Sequence, residues 1–181
     1  MNRPIINKLQ LTNIIGYDIS KPCIIGIRGF FLNQMGEKNR NDRGIYDDAL
    51  FIYDGLNITG YNANVDPSKY GINPKIGKGY ANLEVGEYQY KLGIHGLSKD
   101  VSKQYEALVQ HQKVDVKRDD GKEEAGFFGI NIHRGGINGT SSEGCQTITH
   151  TQWVEFITHV KGIWTKSDII TYILANQHAK G

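Results

Sequence analysis

Twenty-two glycines and ten tyrosines in 181 residues constrain the fold more than any other feature of this chain. A glycine inside a helix costs roughly 1 kcal/mol relative to alanine. Tyrosine suits the half-buried face of a sheet. A chain rich in both favours short strands joined by many turns. The apolar runs agree. Cys23-Ile24-Ile25-Gly26-Ile27-Arg28-Gly29-Phe30-Phe31 reads as a buried strand, and Cys23 within it as a small core residue. Ala49–Tyr53 and Leu56–Thr59 flank Asp54-Gly55, a hairpin signal. Tyr80–Leu83, Glu87–Ile94, Tyr105–Gln110 and Val114–Arg118 read as further strands, and Asp119–Lys122 as a charged hairpin tip. Phe127–His133 is expected to return as a strand with His133 at its exposed end, on the face opposite Ile130 and Ile132. Residues 33–44 and 61–79 read as loops.

Helical periodicity is found at two places. Residues 5–16 suit a short helix. Thr149-His150-Thr151-Gln152 matches a capping box, and Trp153, Phe156, Ile157, Val160, Ile163 and Trp164 follow at helical spacing as a core-facing stripe, leaving His150 and His159 solvated. A last strand covers Ile169–Leu174. The expected class is mostly β (α+β): one compact sandwich or barrel-like domain over residues 1–181 with one or two helices.

A hydrophobic fraction of 39% and a charged fraction of 22% fit a globular protein. The net charge of +2 argues against a nucleic-acid partner. No stretch reaches the roughly 18 apolar residues of a membrane span, and the first residues lack the apolar core of a signal peptide. Two cysteines are too few for a disulfide framework, no residue pair has zinc-ligand spacing, and no cofactor is expected. A monomer is expected.

The chemistry concentrates in Gly129–Ile148. His133 and Cys145, twelve positions apart, share a segment rich in glycine and serine. A thiol is a strong nucleophile only as thiolate, and a neighbouring imidazole is the usual base. Ser142 is placed to support the loop or position the imidazole. Gly144 leaves the Cys145 N–H and neighbouring amides open as an oxyanion hole.

The pattern His133…Ser142-Glu143-Gly144-Cys145, with Tyr80–Tyr88 upstream, resembles the L,D-transpeptidase catalytic-domain family of peptidoglycan enzymes. The resemblance covers about residues 75–175. The first 70 residues have no clear counterpart in the core family, but Asn41–Asp48 and Asn62–Ser68 look like segments of a small divergent branch, often phage-encoded and lytic. The resemblance implies Cys145 as nucleophile and His133 as base. The substrate would be a stem peptide, cut between its diamino acid and D-alanine through a thioester that water or an amine resolves. His95, in Gly93-Ile94-His95-Gly96, also matches the base motif and stands as a second site histidine. The family's arginine after the cysteine is missing, since Gln146 and Thr147 follow. Arg134 is the expected carboxylate clamp in its place, with Arg28, Arg40 and Arg43 next in line.

The expected protein is thus a lytic hydrolase or transferase of endolysin or antibacterial-effector type. It would be made in the cytoplasm and brought to the wall by holin-type release or dedicated secretion. The alternatives are a peptidase built on Cys23, disfavoured by its apolar strand, and a non-catalytic wall-binding or virion structural β module.

Overall fold

The computed structural model describes residues 2–177. Its strands are β1 (Cys23–Arg28), β2 (Asp48–Tyr53), β3 (Ile58–Asn64), β4 (Ile72–Asn73), β5 (Lys78–Gly79), β6 (Ala81–Leu83), β7 (Gly86–His95), β8 (Tyr105–Gln110), β9 (Val114–Arg118), β10 (Glu123–Gly126), β11 (Ile132–Arg134), β12 (Gln146–Ile148) and β13 (Ile170–Asn176). The helices are α1 (Lys8–Ile15) and α2 (Trp153–Ile163). Eight strands close a barrel in the order β1-β13-β7-β8-β11-β12-β3-β2, so the mostly β expectation holds. Closure leaves those strands without a free edge. The pairs β1–β13 and β11–β12 are parallel; the other barrel pairs are antiparallel.

Strand alternation divides the apolar residues. Ile24, Leu50, Ile52, Tyr61, Tyr90, Leu108, Ile132, Ile148 and Tyr172 belong to one buried cluster. Trp153, Phe156 and Val160 of α2 join it, and Phe156 meets Tyr61 edge-on at 5.2 Å. A second cluster gathers Cys23, Ile25, Ile27, Phe51, Tyr53 and Ile173 beneath Leu11 of α1. Cys23 is buried with a free thiol, as its apolar strand suggested. Asn7 caps α1 through a reciprocal pair with Gln10, and Gly16 ends it at φ 85°.

Three local expectations are corrected. The capping box at Thr149–Gln152 does not form: those residues begin a single 3₁₀ turn with no side-chain cap. Gln152 instead accepts from the Asn62 N–H and donates to Asn62 Oδ1, both at 2.8 Å, because a strand needs its amide more than the helix end does. β3 runs on to Asn64 through residues that read as loop, drawn in by pairing with β2 and β12. Finally, residues 127–131 form no strand. The Gln110 side chain stands in for the missing neighbour. Its Oε1 accepts from the Phe128 and Ile130 N–H groups at 3.1 and 3.0 Å, and its Nε2 donates to Gly126 O at 2.8 Å.

Candidate functional site

The turn leading into β12 is tied down atom by atom. Ser142 is buried; its N–H donates to Ser68 Oγ at 2.6 Å and its Oγ donates to Cys145 O at 2.6 Å. Ser142 Oγ also accepts from the Gly144 N–H at 3.0 Å. Ser142 therefore supports the loop and makes no bond to an imidazole. Gly144 has φ +149°, and a Cβ there would meet Ala81 O at 2.8 Å, so glycine is required. The Gly144 amide is already taken, which removes it from the expected oxyanion hole. The Cys145 N–H has no hydrogen-bond partner among the described residues.

Cys145 Sγ accepts from the Asn131 N–H at 3.4 Å and donates to Gly129 O at 3.3 Å. Register explains these neighbours. Ile132 pairs with Gln146 and His133 with Thr147, so Cys145 lies beside Asn131, on the strand face that also carries His133. The thiol opens into a cavity of about 350 Å³ lined by Asn73, Ile76, Arg118, Phe128 and Glu143, among others. Burial pushes the thiol up to about 11, against the pull of the Asn131 N–H.

His133 is 5% exposed, not at the exposed end of a strand, because the His95 ring lies over it. The two rings stack with centroids 4.1 Å apart and planes 24° from parallel. Asn131 Nδ2 reaches His95 Nδ1 at 3.3 Å. The structure thus brings both sequence candidates into one site. His133 Nδ1 lies 2.8 Å from Arg134 O. A carbonyl only accepts, so Nδ1 carries the proton and Nε2 keeps its lone pair. Burial, then the neighbouring His95, holds the His133 imidazole down to about 3; burial also lowers His95.

Tyr105 was missed by sequence reading. Its hydroxyl donates to Arg134 O at 3.4 Å and lies 3.3 Å from His133 Nδ1. Pairing of Tyr105 with His95 places it there, a signal visible only once β7 and β8 are in register. The Arg134 guanidinium lies 4.7 Å from the Tyr105 ring and forms no ion pair among the described residues. The other arginines named from sequence are engaged elsewhere: Arg28 with Asp66 at 2.8 Å, Arg40 with Glu37 and Asp42, and Arg43 with Asp119 at 2.6 Å. Arg118, also unforeseen, lines the thiol cavity. It is held by Glu124 at 2.6 Å and Gly79 O at 2.9 Å. Glu143 on the same wall pairs with Lys75 and accepts from Asn73 Nδ2 at 3.2 Å.

His159, expected in solvent, is half-buried and meets the Tyr61 hydroxyl at 3.1 Å. No helix among the described residues is long and apolar enough to cross a membrane. Compared with known proteins, the chain matches no family model, no curated protein and no solved structure.

Proposed function

We propose that this protein is a cysteine acyl-transfer enzyme of L,D-transpeptidase type acting on peptidoglycan stem peptides. The observation that carries the reading is Cys145 on the wall of a cavity, sharing a strand face with an imidazole whose Nδ1–H is fixed on Arg134 O. In the resting site both groups are neutral, with a thiol near 11 and an imidazole near 3. The reaction then starts from thiol and imidazole rather than from a preformed ion pair. The reading requires Cys145 Sγ to leave Gly129 O and reach His133 Nε2, which removes its proton as sulfur attacks the acyl carbon. The free Cys145 N–H faces the developing oxyanion. Imidazolium then returns the proton to the leaving amine of D-alanine, and water or a second amine resolves the thioester.

Arg118 in the cavity is already held by Glu124, and Glu143 shares its wall, so the cation left for a substrate carboxylate is Arg134, beside His133, which forms no ion pair among the described residues. This one unpaired cation supports a substrate with an acidic group and would stand in for the arginine missing after Cys145. The test is mass spectrometry of muropeptides incubated with the protein. Loss of D-alanine from tetrapeptides, opening of crosslinks or exchange with an added D-amino acid is expected. Each should fall at least about a thousandfold in folded Cys145→Ala. Unaltered muropeptides with the wild type, or full activity in folded Cys145→Ala, would end the reading.

A further inference from the structure

Two polar segments, Asn41–Asp48 and Asn62–Ser68, reach the thiol site only at Tyr46, which bonds Gly136 O, and Ser68, which holds the Ser142 turn; others of their polar side chains gather on one another at the β2–β3 end. Asp48 pairs with Ala63 at the start of the β2–β3 ladder, so the next step along sets Asp47 opposite Asn64 on one face. Asp47 and Asn64 are both fully buried. Asn64 donates its amide to Asp66 O, and Asn41 donates its amide to Asp66 Oδ2 at 2.5 Å. Three oxygens in this nest are buried with no hydrogen-bond partner: Asn41 Oδ1, Asp47 Oδ1 and Asn64 Oδ1. An amide's oxygen and nitrogen share one carbon, so both asparagine oxygens lie within a few ångström of Asp66.

The neighbouring groups are already engaged. Asp48 accepts from the Gly29 and Val65 N–H groups at 2.6 and 2.7 Å. Asp47 Oδ2 accepts from the Asp42 N–H at 2.8 Å, which leaves Oδ1 as its free atom. Asp66 Oδ1 faces Arg28 at 2.8 Å, so the one buried cation sits on the other side of that carboxylate from Asn41. What remains is three acceptors without donors, since Arg28 Nε, the buried donor beside them that also lacks a well-formed hydrogen bond, is committed to Asp66 Oδ1 as an ion pair. Leaving such oxygens dry and unpaired is costly, and a donor or a cation must satisfy them.

We propose that Asn41, Asp47, Asn64 and Asp66 form a calcium site that locks the 29–47 loop onto the barrel. The ligand chemistry selects the ion. The nest offers neither imidazole nor thiolate, the ligands that zinc centres favour, and only two of its four side chains are carboxylates. Half of its donors are neutral amide oxygens beside two carboxylates, the hard all-oxygen surroundings that calcium takes, with water completing six to eight ligands. Magnesium demands stricter octahedral geometry and keeps more of its water.

The full chain, stripped with EDTA and dialysed, is melted with and without 5 mM CaCl₂. Calcium should raise Tm by about 5 °C or more and bind with one site in a calorimetric titration. Asp47→Asn keeps the shape and removes one ligand charge; Asn41→Ala removes a half-buried loop ligand. Each should fold and lose most of the calcium response. An unchanged Tm and no heat of binding would overturn the site. So would an equal rise with 5 mM MgCl₂, or a calcium response of wild-type size in both variants. A site holding only internal water gives the first of these results.

Discussion

At the residue scale, the resting site joins a reluctant thiol to a reluctant base. The causes are physical. Cys145 is half-buried on the cavity wall, and one amide N–H at 3.4 Å offsets little of the penalty of forming a thiolate there. His133 lies beneath His95, and a proton on either stacked ring repels a proton on the other. This separates the site from thiolate–imidazolium pairs, whose alkylation is fast and flat across neutral pH. In Cys23→Val protein, iodoacetamide should label Cys145 slowly at pH 7, the rate rising about tenfold per pH unit towards pH 10. A plateau below pH 8 would show a preformed ion pair. The same picture ranks the histidines. His133→Ala should lower kcat/KM by about 10²–10⁴. His95→Ala should cost less and should raise the apparent pKa of the base limb of the pH–rate profile. A dead His95→Ala beside an active His133→Ala would reverse the assignment.

At the element scale, the thiol depends on a segment that is not an element. Residues 127–131 leave the ladder between β10 and β11, and the side chain of Gln110 holds their amides. Gln110 N–H also donates to Asn131 Oδ1 at 3.1 Å, beside the amide that donates to Cys145 Sγ. Gln110→Leu would leave the Phe128 and Ile130 N–H groups without acceptors, a loss of about 2–4 kcal/mol by denaturant melts. It should also lower kcat more than KM, since it frees Gly129 and Asn131 around the thiol. Unchanged kcat in a destabilised variant would confine Gln110 to the fold. This arrangement explains what the sequence could and could not tell. The Asp54-Gly55 turn, the strands from Tyr80 to Arg118 and the apolar face of α2 are local patterns, and they are legible. The break at 127–131 is not, because Phe127, Phe128, Ile130 and Ile132 alternate like a strand, and what interrupts them is an amide seventeen or more residues upstream in the chain. Likewise Cys145 and His133 stand in one motif, but Tyr105 and Arg118 reach the site only through β7–β8 pairing and the small β6–β9–β10 sheet.

At the scale of the whole molecule, the barrel needs both ends of the chain. β1, β2 and β3 come from the first 64 residues, and β1 lies between β2 and the C-terminal strand β13. The stretch on which the proposed L,D-transpeptidase reading rests, about 75–175, therefore lacks three of the eight barrel strands. Because β12 is zipped to β3 and β11 to β8, global unfolding releases His133 into water. Its protonation then couples to stability. The ordinary value is 6.5 and the folded value about 3. Between these, the unfolded chain holds one more proton than the native one, so stability falls as pH drops from 6.5 towards 3. At pH 4 this one group removes roughly 3 kcal/mol relative to pH 7. The buried Asp47 and Asp48 carboxylates are raised, and they work in the opposite sense by taking up protons in the folded state. A wild-type profile alone would therefore mix the two. The difference between wild type and His133→Gln isolates the imidazole. In urea melts, the wild type should lose roughly 3 kcal/mol relative to His133→Gln on going from pH 7 to pH 4. A difference that stays constant with pH would mean that the imidazole accepts its proton inside the folded barrel.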